Sequence, residues 1–287
     1  MIKLLALDLD GTLLDSRGKI SEKNKKAIRR AEERGVLVTI ATGRRFRDAR
    51  PVALEAEFNA PIVTHNGALL KFAENFETVA FSLIDPETCR EIIRVGRLCG
   101  GDALVSADPH GPGTLLYDRI SAENLPLRKY IAWSRSLHGA GAEDSVRHVD
   151  DLDAVIDRTE VVHVSFSGGC RAMNEMQAIL EGELGDSVNI LATVYPPLDF
   201  TLLDILPPGA SKGVGVEKLA ALHGLTRENV MVCGDNYNDL EMLEYAGTAV
   251  VMGNSPPELL ENPDYAQTLS NDENGVACAI EKFILNQ

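Results

Sequence analysis

Aromatic residues are scarce in this chain, at 5% of 287 positions, and Trp133 is its single tryptophan. The five cysteines, Cys89, Cys99, Cys170, Cys233 and Cys278, are odd in number and scattered, with no C-x-x-C spacing. That excludes a disulfide framework and a thiolate zinc site, and it points to reduced thiols and a cytoplasmic protein. Six histidines show neither H-x-H nor H-E-x-x-H spacing, so no imidazole metal centre is expected. No apolar run approaches the roughly 20 residues that a membrane-spanning helix needs. The opening MIKLLALDLD is too short and too soon acidic for a signal peptide and reads as a strand. Positive charge is also short: 28 lysines and arginines face 43 acids, for a formal net charge of -15. Such a surface repels nucleic acid and anionic membranes. An anionic substrate would need local cations, and nothing indicates a protein partner.

What is present alternates. A chain of this length accommodates one large or two modest domains. KLLAL leads to SEKNKKAIRRAEERG, where Ser21 caps a helix, Ala27, Ile28 and Ala31 form its apolar stripe, and Gly35 ends it. VLVTIATGR, a helical stretch over about 45–58 and PIVTHNGALL follow. Near-continuous apolar runs between helices predict a doubly wound parallel sheet, covered on both faces. The pattern changes at LIDPETCREIIRVGRLCG, with Asp85 as N-cap and Pro86 at the first helical position. In VVHVSFSG, Val162, Val164 and Phe166 share one face and His163, Ser165 and Ser167 the other. This predicts an antiparallel sheet with helices on one side only and His163 towards solvent. His110 reads as a loop residue and Trp133 as helix packing. The first pattern returns at GASKGVGVEKLAALHG, a helix entered at Ser211. The expected organisation is therefore a split α/β core, residues 1–84 and 206–287, around an inserted α+β domain over 85–205.

The chemistry collects where the core strands end. LLAL stops at Asp8, LVTIA at Thr42, PIVT at His65-Asn66 and VMVCG at Asp235. Parallel strands direct these ends to one edge, where open α/β sheets bind ligands. Asp8 and Asp10 leave the same face of an extended chain. Mg²⁺ takes oxygen ligands, and Asp8 and Asp235 are its candidate carboxylates. A metal-bound carboxylate can also attack phosphorus. Thr42, Gly43 and Arg44 offer a hydroxyl, close backbone approach and a cation to a phosphate. Lys212 opens a helix, where the dipole disfavours a cation unless an anion lies nearby. Asn238 and Asp239 begin the helix after Asp235 and could orient metal waters, phosphate or Lys212. Each cluster alone fits a capping turn as well.

Together, DLDGTLL, ATGR, SKG and GDNYND, in this order and separation, resemble the four motifs of the haloacid dehalogenase-like hydrolases. THNGALL and the placement of the insert resemble the Cof-type subgroup with a C2 (type B) cap. The resemblance implies a Rossmann-like core with an inserted α+β cap, and a Mg²⁺-dependent phosphatase of a small phosphorylated metabolite. Asp8 is then the nucleophile that forms an aspartyl-phosphate, and Asp10 the general acid/base. The metal would be held by Asp8, the Asp10 carbonyl and Asp235, with Asp239 supporting that shell. Thr42 and Lys212 would bind the phosphoryl group, and Gly43 and Asn238 match substrate-contact positions. His65 stands where the subgroup often has a smaller polar residue. A phosphomutase with the same nucleophile is the alternative; a receiver-like phosphoacceptor fits the chain length poorly.

Overall fold

The computed structural model describes residues 1–122 and 124–286. In chain order come β1 (Leu4–Leu7), α1 (Glu22–Glu33), β2 (Leu37–Ile40), α2 (Phe46–Ala56), β3 (Ile62–Thr64), β4 (Leu69–Lys71) and β5 (Thr78–Phe81). Next are α3 (Pro86–Leu98), β6 (Leu104–Ala107), β7 (Thr114–Tyr117), α4 (Leu125–His138), α5 (Ala142–Ser145) and β8 (Val146–His148). They lead to α6 (Leu152–Val155), β9 (Val161–Gly168), α7 (Cys170–Leu184), β10 (Asn189–Tyr195) and β11 (Phe200–Leu206). The last are α8 (Lys212–Leu222), β12 (Val230–Gly234), α9 (Leu240–Tyr245), β13 (Thr248–Val251), α10 (Pro257–Leu260), β14 (Ala266–Gln267) and α11 (Gly275–Ile280). They form two compact units: Met1–Arg44, Ala49–Ala80 and Ser211 onward in one, Arg45–Asp48 and Phe81–Ala210 in the other.

The first unit is built on a five-stranded parallel sheet of order β14-β13-β12-β1-β2. β1 pairs with β12 on one side, Leu7 opposite Cys233, and with β2 on the other, Leu7 opposite Ile40. The chain order therefore reverses at β1, the switch point of a doubly wound sheet. On one face Leu4, Ala6, Val230 and Val232 pack with Val216, Leu219 and Ala220 of α8 and Met242 and Leu243 of α9. The alternate residues Leu5, Leu7, Met231 and Cys233 point the other way and are equally buried. Each such aliphatic side chain, fully buried, stabilises by roughly 1.5–3 kcal/mol. Helix α1 starts at Ser21, whose hydroxyl accepts from the Asn24 amide at 3.1 Å, and buries Ala27, Ile28 and Ala31. The sequence placed β3 in the parallel sheet. It touches that sheet through one parallel bridge, Ala41 to Val63, and otherwise opens an antiparallel meander β3-β4-β5.

The second unit carries a six-stranded sheet, β10-β11-β9-β6-β7-β8. Its pairs are antiparallel except β7–β8, which run parallel. Val105, Leu116, Val164, Phe166, Leu203 and Ile205 face α3 and α7 in one core. An ideal Cβ on Gly96 of α3 would lie 2.1 Å from the Phe166 ring, so glycine lets this helix approach the sheet. The expectation of helices on one side only is overturned. Leu104, Leu115 and Val146 of the opposite face pack on Leu127 and Ile131 of α4. His163, expected at the solvent, lies on that opposite face and is 4% exposed, with Ser165, Ser167 and Asp204 equally withdrawn from water. Strand alternation placed Val164 and Phe166 in the core, but a register shift opposite Ser106–Ala107 puts Val161 there rather than Val162, and alternation could not say that the opposite face is covered. Trp133 on α4 is 40% exposed, its ring 5.8 Å from that of Tyr130. No helix among the described residues is long and apolar enough to cross a membrane.

Candidate active site

The register of β1 and β12 brings two acidic loops side by side. The Asp8 amide donates to the Cys233 carbonyl at 2.9 Å, so Asp8 and Asp235 leave adjacent strand ends. With Asp239 they form a cluster whose ligand oxygens all lie within 4.8 Å of one another. Lys212 Nζ sits among them, 1% exposed, donating to Asp8 Oδ1 and Asp239 Oδ1 at 2.6 Å each. The anions that a lysine in the first turn of α8 requires are therefore these carboxylates. Ser211 caps that helix, its hydroxyl accepting from the Val214 amide at 3.2 Å. Asp239 is fully engaged: Oδ1 takes Lys212, and Oδ2 accepts the amides of Asp235 and Asn236 at 2.9 and 3.0 Å. It orients the cluster more than it adds an open ligand.

One lysine among three buried carboxylates leaves an excess of negative charge. Burial, then Asp239, pushes the Asp8 carboxyl well above its usual range, against the pull of Lys212. Asp235 is pushed up to about 6 by burial and Asp239, a rise opposed by the hydrogen bond from Thr12. Lys212 is held above its ordinary value by Asp239 and Asp8, which outweigh its burial. A divalent cation would offset this excess, and oxygen-only donors suit Mg²⁺.

Two clamps that single-residue reading missed hold the acidic loop. Thr12 Oγ1 donates to Asp235 Oδ1 at 2.9 Å, and Asn254 Nδ2 to the Gly11 carbonyl at 2.9 Å. Gly11 has φ 88°, and an ideal Cβ there would lie 2.4 Å from Asp235 Oδ2, so only glycine lets these loops meet. The signals were the Gly-Thr that follows Asp10 and the Asn-Ser after β13.

The third strand end is shaped by backbone. His65, Asn66 and Gly67 have φ of 52°, 49° and 89°, three left-handed residues in succession. That conformation costs a residue other than glycine roughly 1–2 kcal/mol, and such strain gathers at functional sites. Here it turns two amides inward. Those of His65 and Asn66 donate to the carbonyls of Arg44 and Thr42 at 3.0 and 3.1 Å. Thr42 is 1% exposed, and its hydroxyl accepts from the Arg44 amide at 3.1 Å. An ideal Cβ on Gly43 would lie 3.0 Å from Asn66 Oδ1. Arg44 reaches the remaining acid, its Nε and Nη2 donating to Asp10 Oδ2 and Oδ1 at 2.8 and 2.5 Å. Asn238 is half-buried in the turn Tyr237–Asp239.

Acids, a buried lysine and a threonine at the switch point of a doubly wound sheet define an α/β protein with a carboxylate site at its strand ends. The model of the haloacid dehalogenase-like hydrolases matches residues 5–280, and the chain belongs to that family. It is similar to the 5-amino-6-(5-phospho-D-ribitylamino)uracil phosphatase YwtE of Bacillus subtilis, 28% identical over 100% of this chain and 99% of that protein. It is 30% identical to the stress response protein YhaX of the same organism, over 99% of this chain and 94% of that one. A crystal structure of a haloacid dehalogenase-like hydrolase from Bacteroides thetaiotaomicron superposes with TM-score 0.80 at 27% identity, covering 99% of this chain and all of that one.

Proposed function

We propose that the protein is a Mg²⁺-dependent phosphatase of a small, polyhydroxylated phosphomonoester, acting through a phosphorylated Asp8. The observation that carries this is the buried cluster Asp8–Asp235–Asp239 around Lys212, one strand away from Thr42. Asp8 and Asp235 would hold Mg²⁺ with the Asp10 carbonyl; once bound, the ion neutralises charge at the cluster and on the phosphoryl oxygens. Lys212 orients the Asp8 carboxylate through Oδ1. An Asp8 oxygen bonds to phosphorus, the ester P–O bond breaks, and the departing oxygen takes a proton from Asp10. Water then attacks the phospho-aspartate, Asp10 accepts its proton, and the P–O bond to Asp8 breaks. Thr42 and Lys212 bind the phosphoryl group throughout, and Gly43 and Asn238 border the substrate. The phosphorylated ribityl chain in the name of one relative suits a sugar-like leaving group. The inserted unit acts as the cap that selects it. A cytoplasmic home is proposed from the odd, scattered cysteines of the sequence.

The test is phosphate release from a panel of sugar, polyol and nucleotide monoesters, with Mg²⁺ and with chelator. Activity is expected on sugar- or polyol-phosphates and only with metal. Asp8→Asn should lower turnover by more than about 10³-fold, the scale of losing a nucleophile, with the fold intact. A variant that keeps about a tenth of the rate refutes the assignment, and an isomerised sugar phosphate in place of free phosphate identifies a mutase.

A further inference from the structure

We propose that Asn254 is a positioning residue for the metal site, the head of a strut that reaches from the C-terminal part of the chain to the loop after β1. The inference rests on the reading that Asp8, the Asp10 carbonyl and Asp235 hold Mg²⁺. Asp8 and Asp235 leave strand ends whose places are set by the register of β1 on β12. The Asp10 carbonyl has no such frame. It belongs to the peptide that ends at the Gly11 nitrogen, so rotation about the φ of Gly11 turns it. Gly11 stands at φ 88°, and glycine is the residue with the widest backbone freedom. A ligand beside such a pivot needs the far side of the glycine to be held.

Asn254, in the loop after β13, supplies that hold. Its Nδ2 donates to the Gly11 carbonyl at 2.9 Å, and its Oδ1 accepts the Asn271 amide at 3.0 Å. One side-chain amide thus gives its donor to the acidic loop and its acceptor to the turn after β14. An aspartate here would set an acceptor against the Gly11 carbonyl. The same turn grips the loop further on. Asn271 Nδ2 donates to the Leu14 carbonyl at 2.9 Å, and Asp272 Oδ1 accepts the Ser16 amide at 2.8 Å. Leu14 passes the hold back towards the ligand: its amide donates to the Leu9 carbonyl at 2.9 Å, and it forms a backbone bridge with Asp10. The strut is seated on backbone as well. The Gly253 amide donates to the Leu269 carbonyl at 3.1 Å, and an ideal Cβ on Gly253 would lie 2.9 Å from the Ser270 nitrogen. Ser270 and Glu273 form a capping box on the turn that carries Asn271.

Mg²⁺ is titrated calorimetrically into chelator-stripped wild type, Asn254→Ala and Asn254→Asp, each with a urea unfolding curve taken in chelator. The expected result is a Kd for Mg²⁺ weakened by about ten-fold in both variants, at the lower end of the effect of groups that orient metal ligands. Asn254→Asp is the sharper of the two. Its added negative charge would tighten a cation by attraction alone, so weaker binding identifies the lost donor. Variants that bind Mg²⁺ as wild type does, even with a lower urea midpoint, make Asn254 a structural contact only and overturn the inference. Tighter binding by Asn254→Asp overturns it too. Wild type gives a second measurement, because coupling is reciprocal. Mg²⁺ should slow hydrogen exchange of the Asn271 and Ser16 amides, which Asn254 and Asp272 accept. Exchange at both that ignores Mg²⁺ overturns the inference with no substitution made. Failure of the underlying reading looks different, since wild-type protein would then take up no Mg²⁺ and release no phosphate from any ester.

Discussion

At the scale of single residues, His163 shows how the covered sheet face alters chemistry. Burial, with the Arg45 cation second, pushes its imidazole down to about 3. Arg45 belongs to a buried network: Nε and Nη2 bind the Asp48 carboxylate at 2.8 and 3.0 Å, and Nη2 also reaches Ser134 Oγ at 2.8 Å. His138 Nε2 lies 2.9 Å from Asp48 Oδ1. His138, then Arg45, hold Asp48 down at about 2 against its burial. A histidine depressed by folding binds its proton more readily in the unfolded chain. Stability is therefore untouched above the unfolded value near 6.5 and falls as pH drops from there towards 3. At pH 4.5 this one group costs about 2–3 kcal/mol relative to pH 7. The paired Asp48 acts lower, contributing stability above about 4 that is lost towards 2. Urea unfolding of wild type and His163→Gln at pH 7 and 4.5 checks this. The variant should lose less stability between the two, and parallel losses would mean that His163 is protonated in the folded state.

At the scale of elements, local chemistry was legible and tertiary chemistry was not. Ser21, Asp85 and Ser211 cap their helices as read, because a cap and its amides lie within three residues of each other. The doubly wound sheet followed from apolar runs, which report burial on both faces. The parallel β7–β8 pair, α4 on the second face and the fork of Arg44 on Asp10 depend on partners that no short window contains. The three left-handed residues after β3 were not legible either, since their approach to α8 involves partners far along the chain. An ideal Cβ on Gly67 would lie 1.9 Å from the Ser211 carbonyl oxygen, while one on Gly35, at φ 76°, meets nothing within 4 Å. Gly35→Ala should therefore cost only conformational strain, roughly 1–2 kcal/mol. Gly67→Ala adds a backbone collision at the start of the Lys212 helix and should cost about 3 kcal/mol or more. Denaturant midpoints of the two variants decide it; equal losses would show that α8 can retreat freely.

At the scale of the whole molecule, 43 acids outnumber 28 bases, although the proposed substrate is an anion. The cations at the candidate site are few and immobile: Lys212 is locked between two aspartates, and Arg44 is bound to a third. The wider arrangement of the chain has a consequence for its synthesis. β1, made first, has β12 as a neighbour, with Leu4 opposite Val230. That side of β1 stays open on a nascent chain until more than 200 further residues have left the ribosome. All six strands of the second unit, by contrast, lie between Leu104 and Leu206, and shorter loops close at a smaller entropic cost. The inserted unit is thus placed to fold while the unit that hosts it is still waiting for its C-terminal half. Pulse-labelled hydrogen exchange during refolding should show β6, β9 and β11 protected before β1 and β12. Until β12 arrives, Leu4 to Leu7 is an unpaired greasy edge, and aggregation during expression should be worst for chains truncated between residues 210 and 230.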